Sequence, residues 1–132
     1  MSEPEPMIWT LPRSPQAAGL ARRWLSDALP QMPGEALSEA QLLVTEVVTN
    51  ALRHGAAPVT MKLRVGATGL RVEVRDDGAR LPQQRTASAL DTGGRGLQIV
   101  DQLATDWGVS RPRAGHGKVV WFEVAIPALV AT

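Results

Sequence analysis

The sequence contains no cysteine, carries almost no net charge and has no long apolar run, and each absence excludes a class of protein. Without cysteine there is neither a disulfide framework nor a thiolate metal site. A formal net charge of +1 gives no strong field that would recruit nucleic acid or a membrane surface. The longest apolar runs are far shorter than the roughly 20 residues that a membrane-spanning helix needs.

The remaining composition is that of an ordinary globular protein. A chain of 132 residues with 44% hydrophobic and 20% charged residues predicts a single domain with its own core. The N-terminal segment 1–6 is acidic and rich in proline, and it has neither the basic start nor the apolar core of a secretion signal. We expect a disordered tail at 1–6, one domain at 7–128, and a cytoplasmic location, with which the lack of cysteine is compatible.

Hydrophobic periodicity predicts five strands and three helices. The expected strands are 7–11, 59–65, 70–74, 105–109 and 118–126. The expected helices begin at Ser14-Pro15, run over 36–54 and run over 94–103, with a polar loop over 76–93. Ser38 and Gln41 have the spacing of a capping box, and Gly55 is suited to end the second helix in the left-handed conformation. Consecutive hairpins predict an α/β two-layer sandwich, in which a mostly antiparallel mixed sheet packs against about three helices.

A first polar signal lies on the second helix, where Glu46, Asn50 and His54 follow one another at intervals of four residues. Residues at this spacing share one helix face. Taken alone, such a pattern is more often a solvated stripe on an amphipathic helix. Chemically, a carboxylate can act as a general base, and an amide oxygen is a hard ligand suited to Mg²⁺.

Two further signals contain glycine. Asp76-Asp77-Gly78 follows a strand, where it is either a simple turn or a carboxylate that accepts a hydrogen bond from an adenine amino group. The segment 92–100 leads from glycines straight into an amphipathic helix, which is either a plain loop before a helix or an anion site. Arg95 adds a charged donor for phosphate oxygens.

Together these segments resemble the ATP site of the histidine kinase-like ATPase superfamily, whose fold gyrase and the chaperone ATPases share. Residues 43–55 resemble its asparagine box, 76–78 its first glycine box and 93–97 its second. Residues 119–124 resemble the last strand of the small bacterial anti-sigma-factor kinases. The resemblance extends from about Trp9 to Pro127, and three boxes in the right order are much more specific than any one of them.

The resemblance implies a role for each matching residue. Glu46 would be the general base that deprotonates the attacking hydroxyl, and Asn50 would hold Mg²⁺. Asp76 would bind the adenine amino group, with Gly78 beneath the ring. The phosphates would be cradled from the helix start by Gly94, Arg95, Gly96 and Leu97. For His54 a structural link and a ligand contact both stay open.

Two features depart from the family pattern. Arg80 stands where the first glycine box has its second glycine, so the hinge of the ATP lid differs from the family pattern. The lid itself, over 80–92, is short. The resemblance covers the ATP-binding domain and includes neither a phosphorylatable-histidine domain nor a sensor, so it does not imply a complete histidine kinase.

The resemblance implies a serine/threonine protein kinase of the anti-sigma type that uses ATP and Mg²⁺. Its substrate would be a serine of a small anti-anti-sigma protein (STAS type), and its second partner would be a sigma factor. We expect no direct contact with nucleic acid or membrane. Small members of the family often pair, so the resemblance leaves a homodimer open, and the sequence gives no independent sign of one. The alternatives are a non-catalytic, ATP-responsive binding module, a plain ATPase and a structural domain without a ligand.

Overall fold

The computed structural model describes residues 5–78, 92–111 and 117–126, with the side chains of 92–97 outside the description. Its strands are β1 (Met7–Leu11), β2 (Val59–Val65), β3 (Gly69–Asp76), β4 (Asp106–Ser110) and β5 (Lys118–Ala125). Its helices are α1 (Ala17–Ala28), α2 (Gly34–His54) and α3 (Thr92–Leu103). Within these ranges no helix is long and apolar enough to cross a membrane.

The strands form one sheet in the order β1-β2-β3-β5-β4, and every pairing among them is antiparallel. Each central strand alternates, with one side of the chain buried and the other facing outward, as residues on opposite faces of a sheet must. The inward side chains include Met61 and Leu63 of β2, Val72 of β3 and Phe122 of β5, all fully buried. At one end of the sheet the register places Asp76, the last residue of β3, opposite Lys118, the first of β5.

The helices supply the second layer. α2 is central because α1, α3 and β3 all pack against it. Its buried side includes Leu43, Val44, Val47 and Val48, which join the inward side chains of the sheet in one hydrophobic core. Near the N-terminus Trp9 of β1 stacks on Trp24 of α1, with ring centroids 5.6 Å apart. This arrangement confirms the predicted two-layer α/β fold.

The observed starts of α1 and α2 differ from the predicted ones. α1 begins at Ala17, two residues after the predicted Pro15, and Ser14 accepts a hydrogen bond from the Gln16 N–H at 3.3 Å in the turn that leads into the helix. α2 begins at Gly34, so the predicted capping box is wrong. The Gln41 side chain instead donates to the Arg22 carbonyl at 3.3 Å and thereby links α2 to α1.

The end of α2 also corrects a prediction. Gly55 has φ −101° and ψ −166°, which is extended backbone and not the left-handed conformation expected of it. Its N–H donates to the Ala51 carbonyl at 2.9 Å, after which the chain turns directly toward the end of β3. β3 continues past the predicted 70–74 through Asp76 because its ladder with β5 continues that far. Most of the predicted loop, 79–91, and the Arg80 departure lie outside the described residues.

Candidate functional site

The carboxylate of Asp76 lies at the centre of the site, and the residue as a whole is 1% exposed. Its Oδ1 accepts hydrogen bonds from the Gly78 N–H at 2.7 Å, the Lys118 ammonium at 3.1 Å and the Ala56 N–H at 3.4 Å. The Asp77 N–H also donates to the Ala56 carbonyl at 2.8 Å. The segment after α2 is thus fastened to the end of β3, and the orientation of the carboxylate is fixed.

The other carboxylate oxygen, Oδ2, is buried and has no hydrogen-bond partner among the described residues. A buried acceptor without a donor costs about 1–3 kcal/mol, so such atoms in native proteins call for an explanation. A ligand N–H directed at Oδ2 supplies the missing donor. The amino group of a purine has this chemistry, and the site therefore fits the base that the sequence assigned to Asp76.

Glycines allow the backbone to close around this carboxylate. A Cβ on Gly55 would lie 2.5 Å from Asp76 Oδ1 and 2.6 Å from the Ala51 carbonyl oxygen, closer than any side chain tolerates. Gly117 has φ +86°, a left-handed conformation that favours glycine, and a Cβ there would lie 2.6 Å from the Asp76 carbonyl oxygen. Gly78 is part of the same enclosure, with its Cβ position 3.0 Å from Oδ1.

Lys118 is a residue of this site to which the sequence pattern gave no role. Its side chain is 2% exposed and pairs with Asp76 across the β3–β5 ladder. The alternation of β5 held the signal: Lys118 has the same parity as Val120, Phe122 and Val124, which all face the core. A lysine on the apolar side of a strand is rarely fully buried unless a partner carries the opposite charge.

The polar stripe of α2 runs along the helix toward this site, because α2 ends at His54 and the next residue, Gly55, lies against Asp76. Asn50 is 5% exposed, while Glu46 and His54 are partly buried, so the interpretation as a solvated stripe is wrong for Asn50. From Glu46 to His54 the helix rises about 12 Å, so the stripe extends away from Asp76 along α2.

Burial raises the pKa of Glu46 above its ordinary 4.5, and the positive charge of Arg53 partly offsets the rise. A carboxylate whose pKa is raised toward the working pH is a better general base than an ordinary exposed one. Asn50 lies one turn further along α2 and offers an amide oxygen of the kind that Mg²⁺ accepts. The stripe therefore fits the chemistry predicted for it, although the two roles stay predictions.

The four residues assigned to the phosphates, Gly94 to Leu97, all lie inside α3. This helix begins at Thr92, two residues earlier than predicted, and packs against α2. The first four N–H groups of a helix have no partner within it. The N–H groups of Thr92, Gly93, Gly94 and Arg95 therefore have no partner within the helix, while those of Gly96 and Leu97 belong to the helix ladder.

A separate hollow of about 500 Å³ lies at the opposite end of the sheet, lined by Gly66, Thr68 and Ala125 among others. Arg71 lies there, pairs with Glu73 and Glu123 at 2.9 Å each, and stands over the Trp121 ring at 4.1 Å. None of the residues predicted for the nucleotide lines this hollow.

Comparison with known proteins places most of the chain in one family. The model of the histidine kinase-like ATPase domain matches residues 11–124. Blue-light-activated histidine kinase 2 of Erythrobacter litoralis is 33% identical over 103 residues, which cover 72% of this chain. They cover 29% of that kinase, so this chain matches less than a third of its length.

Two solved structures share the fold. The RsbU and RsbW domains of Rv1364c from Mycobacterium tuberculosis superpose with a TM-score of 0.69 at 19% identity, over 93% of this chain and 33% of that one. The histidine kinase domain of the blue-light-activated kinase from Erythrobacter litoralis superposes with a TM-score of 0.53 at 25% identity. That match covers 86% of this chain and 67% of the other. At 19% identity the first likeness concerns the fold alone.

Proposed function

Because this chain belongs to the histidine kinase-like ATPase family, we propose that it binds Mg-ATP and transfers the γ-phosphate to a serine or threonine of a protein partner. The family's domains bind ATP, and the buried acceptor Asp76 Oδ2 is the single observation that carries the proposal to this chain. Asp76 accepts a hydrogen bond from the adenine amino group, and Gly78 holds the carboxylate in place through its N–H.

The remaining roles follow from positions on α2 and α3. Asn50 is the side chain that would hold Mg²⁺, which when bound screens the negative charge of the phosphates. Glu46, one turn before it, takes the proton from the attacking hydroxyl. The N-terminal end of α3, which begins at Thr92 and includes Gly94 and Arg95, would face the phosphates with its positive dipole end.

The partners are a STAS-type anti-anti-sigma protein as phosphate acceptor and a sigma factor that the domain sequesters. The likeness of 119–124 to the last strand of the anti-sigma kinases supports this choice. The matching relative from Erythrobacter litoralis is by name a histidine kinase, so the chemical identity of the acceptor is the point to test.

The test is a transfer reaction with γ-labelled ATP and a STAS-domain protein from the same cell, with Glu46→Gln as the inactive control. Phosphoserine and phosphothreonine survive acid, whereas phosphohistidine is lost in acid. Acid-stable label on the partner, dependent on Glu46, supports the proposal. Acid-labile label assigns histidine chemistry, and label released as free phosphate without any partner assigns a plain ATPase.

A non-catalytic, ATP-responsive binding module is the second candidate, favoured by Arg80 in place of the second glycine of the first glycine box. It predicts that Mg-ATP changes the affinity for a sigma factor or a STAS-domain protein while no label is transferred to either of them.

A further inference from the structure

The stability of the fold does not require the buried ion pair between Lys118 and Asp76. Both side chains are almost fully buried, at 2% and 0% exposure, and Nζ lies 3.1 Å from Oδ1. Removing two charges from water opposes folding, and a well-packed apolar pair in their place is often at least as stable. Since Asp76 Oδ1 already accepts two backbone N–H groups, the carboxylate has donors to orient it without the lysine.

The position of the Lys118 ammonium group suggests which hydrogen bonds it can donate to a ligand. An ammonium group has three N–H donors, and in the described part of the chain Nζ donates one hydrogen bond, to Asp76 Oδ1. Two donors are therefore left beside the same carboxylate whose Oδ2 is a free acceptor. The site thus offers an acceptor on one carboxylate oxygen and a charged donor 3.1 Å from the other.

Adenine presents the complementary pair on its Watson–Crick edge, where the 6-amino donor stands next to the ring N1 acceptor. We propose that Lys118 is a second base-reading residue, whose ammonium donates to ring N1 while Asp76 Oδ2 accepts from the 6-amino group. This inference rests on the proposed function, because it concerns the base of the nucleotide bound there. It assigns base specificity to a charged pair across two strands instead of to Asp76 alone.

The experiment titrates the wild-type protein calorimetrically with the magnesium salts of three nucleotides. These are ATP, 1-deaza-ATP, in which C–H replaces ring N1, and purine riboside triphosphate, in which hydrogen replaces the 6-amino group. Hydrogen bonds to charged groups are strong enough that each analogue is expected to bind at least about tenfold more weakly than ATP. No substitution in the protein is needed for this arm.

A variant of Lys118 tests whether this residue causes the preference for ATP over 1-deaza-ATP. Lys118→Met keeps the length and apolar stem of the side chain but has no donor, and circular dichroism checks that it folds. It is expected to bind ATP and 1-deaza-ATP equally, both about tenfold more weakly than the wild type binds ATP. Lys62→Met is the matched control, since Lys62 is the one other lysine of the sequence and is 37% exposed on β2. It should keep the full preference for ATP.

The outcomes separate this inference from the proposed function. If 1-deaza-ATP binds the wild type as tightly as ATP does, while purine riboside triphosphate binds more weakly, Asp76 reads the base alone and the inference is overturned. If Lys118→Met still prefers ATP over 1-deaza-ATP, ring N1 is read by another group and the inference fails as well. If the wild type binds none of the three nucleotides, the proposed function fails and this inference with it.

Discussion

Replacing Gly55 by alanine tests whether the end of α2 approaches the carboxylate of Asp76 as closely as the structure shows. The added Cβ would lie 2.5 Å from Asp76 Oδ1 and 2.6 Å from the Ala51 carbonyl oxygen. Neither neighbour is the free end of a long side chain, because Asp76 is fixed by three hydrogen bonds and Ala51 belongs to α2. The helix end or the carboxylate must therefore move.

Overpacking of this kind typically costs 1–3 kcal/mol, so we expect Gly55→Ala to lose about 2 kcal/mol of unfolding free energy. Gly55 has a negative φ, so alanine adds no strain of its own there. For a domain of this size 1 kcal/mol corresponds to roughly 4 °C, which predicts a melting temperature about 8 °C lower. Because Asp76 is displaced, the affinity for Mg-ATP should fall at least about tenfold.

Gly34→Ala is the matched control, because Gly34 begins the same helix and a Cβ there would meet nothing within 4 Å. Alanine favours a helix by up to about 1 kcal/mol over glycine, so this variant should be as stable as the wild type or slightly more so. Urea denaturation and calorimetric titration of Mg-ATP measure both properties. If Gly55→Ala matches Gly34→Ala in stability and in ATP affinity, the close approach of α2 to Asp76 is wrong.

Five further predictions concern α2 and the outer face of the sheet. Glu46→Gln should slow phosphotransfer at least about 100-fold and leave the affinity for Mg-ATP unchanged; normal transfer would exclude Glu46 as the base. Burial raises the pKa of Glu46, and only the ionised form takes a proton, so the transfer rate should fall as pH drops through that raised pKa. Arg53→Gln removes the attraction that lowers this pKa and should move the acid limb of the rate profile to higher pH; an unmoved limb would contradict the assignment. Asn50→Ala should weaken ATP binding in Mg²⁺ but not in EDTA, and equal loss in both would exclude Asn50 as the metal ligand. Gly108→Ala places a Cβ 2.8 Å from the Trp121 ring, so it should destabilise the protein by about 1 kcal/mol and leave ATP affinity intact; reduced ATP affinity would show that the outer face affects the site.

The fold was predictable wherever burial follows a simple period. In β2 the alternation of Val59, Met61 and Leu63 with polar residues specified the strand and its inward face, and both bounds agree with the structure. The ends of helices were less predictable because tertiary contacts override local signals there. Gly55 is required by the carboxylate that it approaches, a contact 21 residues distant that no local pattern contains.

The candidate site was predictable to a similar degree. The boxes indicated Asp76 and Gly78, and the structure places them together through a 2.7 Å hydrogen bond. The catalytic and metal-binding roles of Glu46 and Asn50 stay predictions. Lys118 was missed because only its parity within β5 places it on the buried side, and its position opposite Asp76 comes from the register of β3 with β5.

Titration of Mg-ATP into the wild type and into Asp76→Asn tests the central claim most directly, with circular dichroism to confirm that both proteins are folded. Asparagine keeps the shape of the side chain but removes its negative charge, and it leaves the Lys118 ammonium without its counter-charge. The account predicts clear binding by the wild type and a loss of at least about tenfold in Asp76→Asn. No binding by the wild type at millimolar ATP, or equal binding by the two folded proteins, would contradict it.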